Sequence, residues 1–202
     1  MIKTASPSDN SAQPKLTSGM HRVLMGLALL ALLFSLGVLL THGANLMQFP
    51  YDYDQGEGFE LVDTVLFSQF EWPYRNTDSF PFYSSNYPPL YHVIAAPFVW
   101  VFGPAYWYGR LISLLSAFIA AAVIGYAVQR ETGHRLIAVM SGLAFLASNT
   151  IYHISPLFRQ HISMVAFETV AVVILASAFA HQRRGGIALG LVEDAIIRGN
   201  SI

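Results

Sequence analysis

Apolar residues along this chain fall in long unbroken runs. Val23 to Leu40 holds 18 residues without a charge, Leu111 to Gln129 holds 19 and Leu136 to Ile154 holds 19. His161 to Gln182 holds 22, interrupted only by Glu168. A bilayer core about 30 Å thick takes roughly 20 apolar helical residues to cross. The runs therefore predict an all-α membrane protein, a multi-pass helical bundle with spans over about 23–41, 107–129, 136–154 and 161–181. Small residues among the Leu, Ile and Val suit close helix packing in lipid. Lys3, Lys15 and Arg22 precede the first run, which at 18 residues exceeds the roughly 7–15 of a signal-peptide core. It reads as an uncleaved anchor. Residues 1–20, rich in Ser, Pro, Gln and Asn, read as a disordered cytoplasmic tail.

Pro88 to Gly103, PPLYHVIAAPFVWVFG, is apolar but only 16 residues long. The distribution of Lys and Arg arbitrates whether it crosses. If it stays on one side, seven basic residues lie inside and three outside; if it crosses, the tally is five each. The first arrangement predicts a juxtamembrane helix over 88–103 within a long outer loop, 42–106, and an N-terminus in the cytoplasm. The short loop His153–Gln160 returns to that outer side, so Arg159 and His161 can complete a site built by the long loop. The predicted location is the plasma (inner) membrane.

Composition strengthens this reading. Of 202 residues, 54% are hydrophobic and 11% charged, against roughly 25% charged in a soluble domain. A net charge of −1 gives no reason to expect nucleic-acid binding. Cysteine is absent, which excludes disulfides, zinc–thiolate sites and a thiol nucleophile. No P-loop, dinucleotide fingerprint, HExxH or nucleophile elbow occurs, nor a repeat of 20–50 residues.

Seven of the 12 acidic residues lie between positions 50 and 80: Asp52, Asp54, Glu57, Glu60, Asp63, Glu71 and Asp78. They stand beside Tyr51, Tyr53, Phe59, Trp72 and Tyr74. One reading is a solvated loop with an interfacial aromatic belt. The other is a carboxylate site facing a substrate at the membrane surface. A helix starting near Asp54 puts Asp54 and Glu57 on one face, where they could act as general base or bind a divalent cation. Arg110 and Arg159 flank spans, where an arginine either snorkels to headgroups or binds phosphate. His161 and Glu168 share a helical face, with Glu168 roughly 10 Å into the span. It reads as a functional group or a buried helix–helix hydrogen bond. His92 and His153 read as interfacial.

The order of elements YDYDQGEGFELVDTVLFSQFEWPY, SSNYPPLYHVIAAPFVWVFG, YWYGRLISLLSAFIAAAVIGYAVQR and SPLFRQHISMVAFETVAVVIL resembles the amino-terminal half of the GT-C membrane glycosyltransferases. The most similar branch is that of the protein mannosyltransferases and lipid A aminoarabinose transferases. The resemblance covers about residues 20–182. It implies transfer of a sugar from a polyprenyl-phosphate donor to an acceptor on the outer face. It implies that Asp54 is the catalytic base, with Glu57 standing in for a second carboxylate that Gln55 does not supply. It implies that Arg159 and Arg110 bind the donor phosphate and that Tyr87, Pro88, Pro89 and His161 line the site, His161 replacing an Asp. The expected partners are the lipid bilayer and the lipid-linked sugar, with a divalent cation compatible with the carboxylates. Residues 185–202 read as a truncated tail, in which eight apolar residues run into Glu193 and Asp194. Two other readings are a non-catalytic truncated multi-pass membrane protein and a transporter component. The latter lacks the paired repeats of transporters.

Overall fold

The computed structural model describes residues 14–199 except 79 and 81, and for 14–18 and 181–199 only the backbone. Its described residues form seven α-helices and no strand. These are α1 (Pro14–Gln48), α2 (Gln55–Ser68), α3 (Leu90–Phe102), α4 (Trp107–Thr132), α5 (Arg135–Leu146), α6 (Asn149–Ile154) and α7 (His161–Gly199). Three stretches, Gly19–Gln48, Trp107–Thr132 and His161–Ala180, are long and apolar enough to cross a membrane.

The predicted span 136–154 is not one helix. Its backbone breaks at Ala147–Ser148, where Ser148 is extended (ψ 142°). This leaves α5 with 12 residues, about 18 Å at 1.5 Å per residue, too short for the bilayer core. Residues 14–20, expected in a tail, are already helical, and residues 1–13 lie outside the described residues. The expected tail 185–202 continues α7 as helix to Gly199, with 200–202 outside the description.

Small residues set the helix packing. A Cβ on Gly142 would stand 2.6 Å from the Ala121 carbonyl oxygen, and one on Gly125 would stand 3.0 Å from that of Ala138. α5 therefore runs antiparallel along α4 with the backbones nearly touching. α7 runs parallel to α4: Ser113 meets the Arg159 carbonyl at 2.6 Å and Ser116 meets Ser163 at 2.9 Å. α1 is antiparallel to α4, with Gly43 against Leu114. Leu39, Ala117, Ala121, Leu146, Ile151 and Ile162 form the core where these helices meet.

The end of α1 and the starts of α4 and α7 thus lie at one end of the bundle, and α2 and α3 cap it. Both ends of α3 reach the first turns of α4. The Tyr91 hydroxyl donates to the Gly109 carbonyl (2.8 Å), and Phe98 and Phe102 meet Trp107 at 6.4 and 5.1 Å between centroids. α3 lies across the end of the bundle and not along it. Pro97 interrupts its ladder. Gly103, at φ 75°, ends it in a conformation that a Cβ disfavours.

α2 is inside out. Glu57, Glu60, Asp63 and Thr64 are buried, whereas Phe59 and Val62 are 56% and 46% exposed. Acids at i, i+3 and i+6 share one helical face. That face turns towards the bundle and the apolar face turns away, the reverse of a helix resting on a soluble core.

Candidate functional site

Asp54 is the N-cap of α2. Its Oδ1 accepts from the backbone N–H of Gly56 (3.1 Å) and Glu57 (3.2 Å), satisfying donors that a helix start leaves free. The Arg159 Nη2 also donates to it, 2.8 Å from Oδ1 and 2.7 Å from Oδ2. This pair is half-buried. The guanidinium lies directly over Gly56, where a Cβ would fall 1.8 Å from Nη2. Only the missing side chain lets Arg159 reach across 105 residues of sequence to Asp54.

Glu57 and Arg110 are elsewhere, and their expected roles as a catalytic carboxylate and a phosphate ligand fail on stoichiometry. Both are 0% exposed. Arg110 has five N–H donors, and all five are used. Nε and one Nη2 proton go to Glu57 (2.9 and 2.7 Å), the other Nη2 proton to the Tyr51 carbonyl (2.8 Å), and Nη1 to the Leu46 and Phe49 carbonyls (2.5 and 2.6 Å). Glu57 also accepts the N–H of Phe158 (2.7 Å) and of Tyr53 (2.8 Å). Neither group has a free face for a substrate. Together they knot α1, α2, α4 and the segment before α7. Because Glu57 points into this knot and Asp54 points to Arg159, the two do not form a joint cation site. Among the described residues, no group of three or more His, Asp or Glu side chains is placed to hold a metal ion.

Two cavities are lined from the segments around Arg159. One, of about 430 Å³, is polar and aromatic, lined by Gly56, Phe59, Asp63, Tyr83, Tyr87 and Arg159 among others. The second, of about 160 Å³, lies between α3, α4 and α7 and is lined largely by Pro88, Tyr91, Ile94, Ile112, Met164 and Phe167. Tyr87 and Arg159 line the first cavity, and the next residues along the chain, Pro88 and Gln160, line the second. Gln160, which also lines the apolar cavity, is 2% exposed, and neither atom of its carboxamide has a partner.

Of the remaining expected lining residues, Tyr87 packs edge-on against His161 at 5.7 Å between centroids. Pro88 lines the apolar cavity, and Pro89 is the exposed N-cap of α3. His161 is exposed at the start of α7. Glu168 is exposed, and the buried helix–helix hydrogen bond expected of it does not form.

A second cluster lies behind the pair. His92 of α3, 0% exposed, places Nε2 3.3 Å from Glu60 Oε2 and 3.8 Å from Asp63 Oδ2. Asp63 accepts from the hydroxyls of Tyr83 (2.7 Å) and Ser85 (2.5 Å). Neither oxygen of Glu60 has a hydrogen-bond partner. Burial, with Asp63 and Asp54 nearby, pushes the Glu60 carboxyl up to about 7 against the opposing pull of Arg159. Burial lowers the basicity of His92, opposed by Asp63. The same desolvation, helped by Asp63, raises the Tyr83 phenol. The sequence reading put His92 at the interface and gave Glu60 and Asp63 no individual role. The signal that could have found them is the spacing of Glu57, Glu60 and Asp63 along one face of α2.

No family model matches this chain, and neither does any curated protein or solved structure.

Proposed function

We propose that the chain is a membrane glycosyltransferase, or the donor-binding half of one, which moves a sugar from a polyprenyl-phosphate carrier to an acceptor hydroxyl. The observation that carries this reading is the Asp54–Arg159 pair: Arg159 lines a polar, aromatic-walled cavity, and the next residue, Gln160, lines an apolar one. A prenyl-phosphate sugar has the same division, with a hydrocarbon tail, a phosphate and a polar ring. Its phosphate belongs at Arg159, whose planar guanidinium suits two phosphate oxygens. Its tail belongs towards Pro88 and Ile94, its sugar towards Phe59, Tyr83 and Tyr87.

In the transfer, the acceptor oxygen attacks the anomeric carbon. The bond from that carbon to the phosphate oxygen breaks, and prenyl phosphate leaves with the electron pair. The acceptor proton passes to Asp54 Oδ2, the oxygen whose only partner among the described residues is Arg159. A phosphate that draws Arg159 to itself frees Oδ2 for this task, so donor binding prepares the base. In the membrane the cavities face the outer surface, α1, α4 and α7 cross, the broken segment of α5 and α6 carries the chain back between α4 and α7, and the N-terminus is cytoplasmic.

The test is donor binding and transfer by the full chain in lipid, offered a mixture of polyprenyl-phosphate sugars. Asp54→Asn is expected to abolish transfer and leave donor bound. Arg159→Ala is expected to weaken donor binding by about tenfold, the worth of one charge-assisted contact. Transfer retained in Asp54→Asn removes the base assignment, and unchanged affinity in Arg159→Ala removes the phosphate assignment.

A further inference from the structure

The Glu60–His92 contact has an unusual proton inventory. Thr64 has one hydroxyl hydrogen and two acceptors within reach, the Glu60 backbone carbonyl at 2.7 Å and His92 Nδ1 at 3.3 Å. The shorter contact favours the carbonyl. Assigned there, the hydroxyl accepts from His92, which puts the imidazole N–H on Nδ1. In the neutral ring Nε2 is then a bare lone pair. It faces Glu60 Oε2, a second acceptor, at 3.3 Å and Asp63 Oδ2 at 3.8 Å, and among the described residues neither Nε2 nor Oε2 has a hydrogen-bond partner. Two unpartnered acceptors held that close in a site 0–1% exposed repel each other. A proton on either atom turns the repulsion into attraction.

We infer that Glu60 and His92 share a single exchangeable proton, and that this buried pair is a proton-binding site which controls how strongly Arg159 takes an anionic phosphodiester. The inference rests on the reading of Arg159 as the phosphate ligand. Gly56, under the guanidinium, and Glu60 are one helical turn apart on the same face of α2. With the proton in place the pair is neutral and adds nothing to the carboxylates already near Arg159, Asp54 and Asp63. Without it a further anion lies behind Arg159 and opposes the arriving phosphate. By reciprocity, a bound phosphodiester raises the proton affinity of the pair.

The other groups around the pair are accounted for. On α2, Asp54 holds Arg159, Glu57 is saturated by Arg110, and Asp63 is held by Tyr83 and Ser85. On α3, the Tyr91 hydroxyl is taken by Gly109 and Ser113. Before α3, Tyr74 donates to the Tyr87 carbonyl. On α7, His161 is exposed beside Tyr87, and its replacement serves as the control.

The probe is a farnesyl phosphodiester in mixed micelles with the full chain, because a phosphodiester keeps one charge from pH 5 to 9. Affinity is expected to fall by roughly fivefold or more as pH rises from 6 to 8, a typical coupling between sites. Glu60→Gln, whose carboxamide can donate permanently to Nε2, is expected to hold the high affinity across the whole range. His161→Gln is expected to keep the slope. A second measurement does not depend on that variant folding: ¹⁵N resonances of His92 in the wild-type chain are expected to show Nδ1 protonated throughout and Nε2 titrating. A neutral ring protonated at Nε2, or a slope that survives Glu60→Gln and vanishes in His161→Gln, overturns the inference. If Arg159→Ala leaves affinity unchanged at every pH, the phosphate reading itself fails. If Arg159 is required and wild-type affinity is flat with pH, that reading stands and the proton site falls.

Discussion

At the scale of single residues, two arginines of the same charge do opposite work, and the difference is a count of donors. Arg110 spends all five on one carboxylate and three carbonyls in a site from which water is excluded. Arg159 spends one nitrogen on Asp54 and stays part-exposed at a cavity mouth. Breaking a buried pair leaves an uncompensated charge, at a cost of about 3–5 kcal/mol. Arg110→Ala is therefore expected to lose that much stability, read as a lowered unfolding midpoint in detergent, because Glu57 would keep only two backbone donors. Gly56→Ala is expected to act differently. The added methyl meets the far end of a flexible side chain, which swings away cheaply. The unfolding midpoint should move little, whereas donor affinity should fall as it does in Arg159→Ala. A large loss of stability in Gly56→Ala would mean that Arg159 holds the fold and is not free to serve a ligand.

At the scale of elements, α4 and α5 approach as closely as backbones can, and α1 stands nearly bare. The same substitution separates the two cases. A Cβ on Gly142 must enter the space of the Ala121 carbonyl, a rigid neighbour, and overpacking of this kind costs about 1–3 kcal/mol. A Cβ on Gly26 meets nothing within 4 Å. Gly142→Ala should lower the unfolding midpoint and Gly26→Ala should not. Equal effects would show that α4 and α5 part easily. The long helices were legible in the sequence because lack of charge over about 20 residues is a local property that needs no partner. The break at Ser148 was not, because the run Leu136–Ile154 contains neither Gly at that point nor Pro, and the chain bends there to bring Ile151 and Phe158 onto α4. The sequence reading put Asp54 and Arg159 at one candidate site, and the fold brings their side chains together. The saturation of Arg110 was not, since its partners sit 53 to 64 residues away and only folding counts them. Glu60 and His92 escaped for the same reason. A histidine in an apolar helix shows its neighbours only after α2 has docked on α3.

At the scale of the whole molecule, the polar chemistry and the exposed aromatics share one end. Tyr51, Tyr53, Trp72 and Trp100 are exposed around the same cap that buries Glu57, Glu60 and Asp63. Amphipathic rings favour the headgroup level of a bilayer, so this end is expected at an interface, with the apolar face of the inside-out α2 against lipid. Sidedness then follows from the helix directions. The α2–α3 connection and the start of α4 should lie on one side, and the turn between α4 and α5 on the other. Absence of cysteine makes the test clean, because each introduced thiol is the only one. Asp78→Cys and Pro104→Cys should react with an impermeant maleimide added to intact spheroplasts, and Glu131→Cys only after permeabilisation. All three positions are exposed. Labelling of 78 and 104 from opposite sides would mean that α3 crosses, in spite of its 13 residues and its interior proline. Labelling of 131 alone in intact spheroplasts would keep the fold and invert it, moving the sugar-transfer reading to a cytoplasmic acceptor.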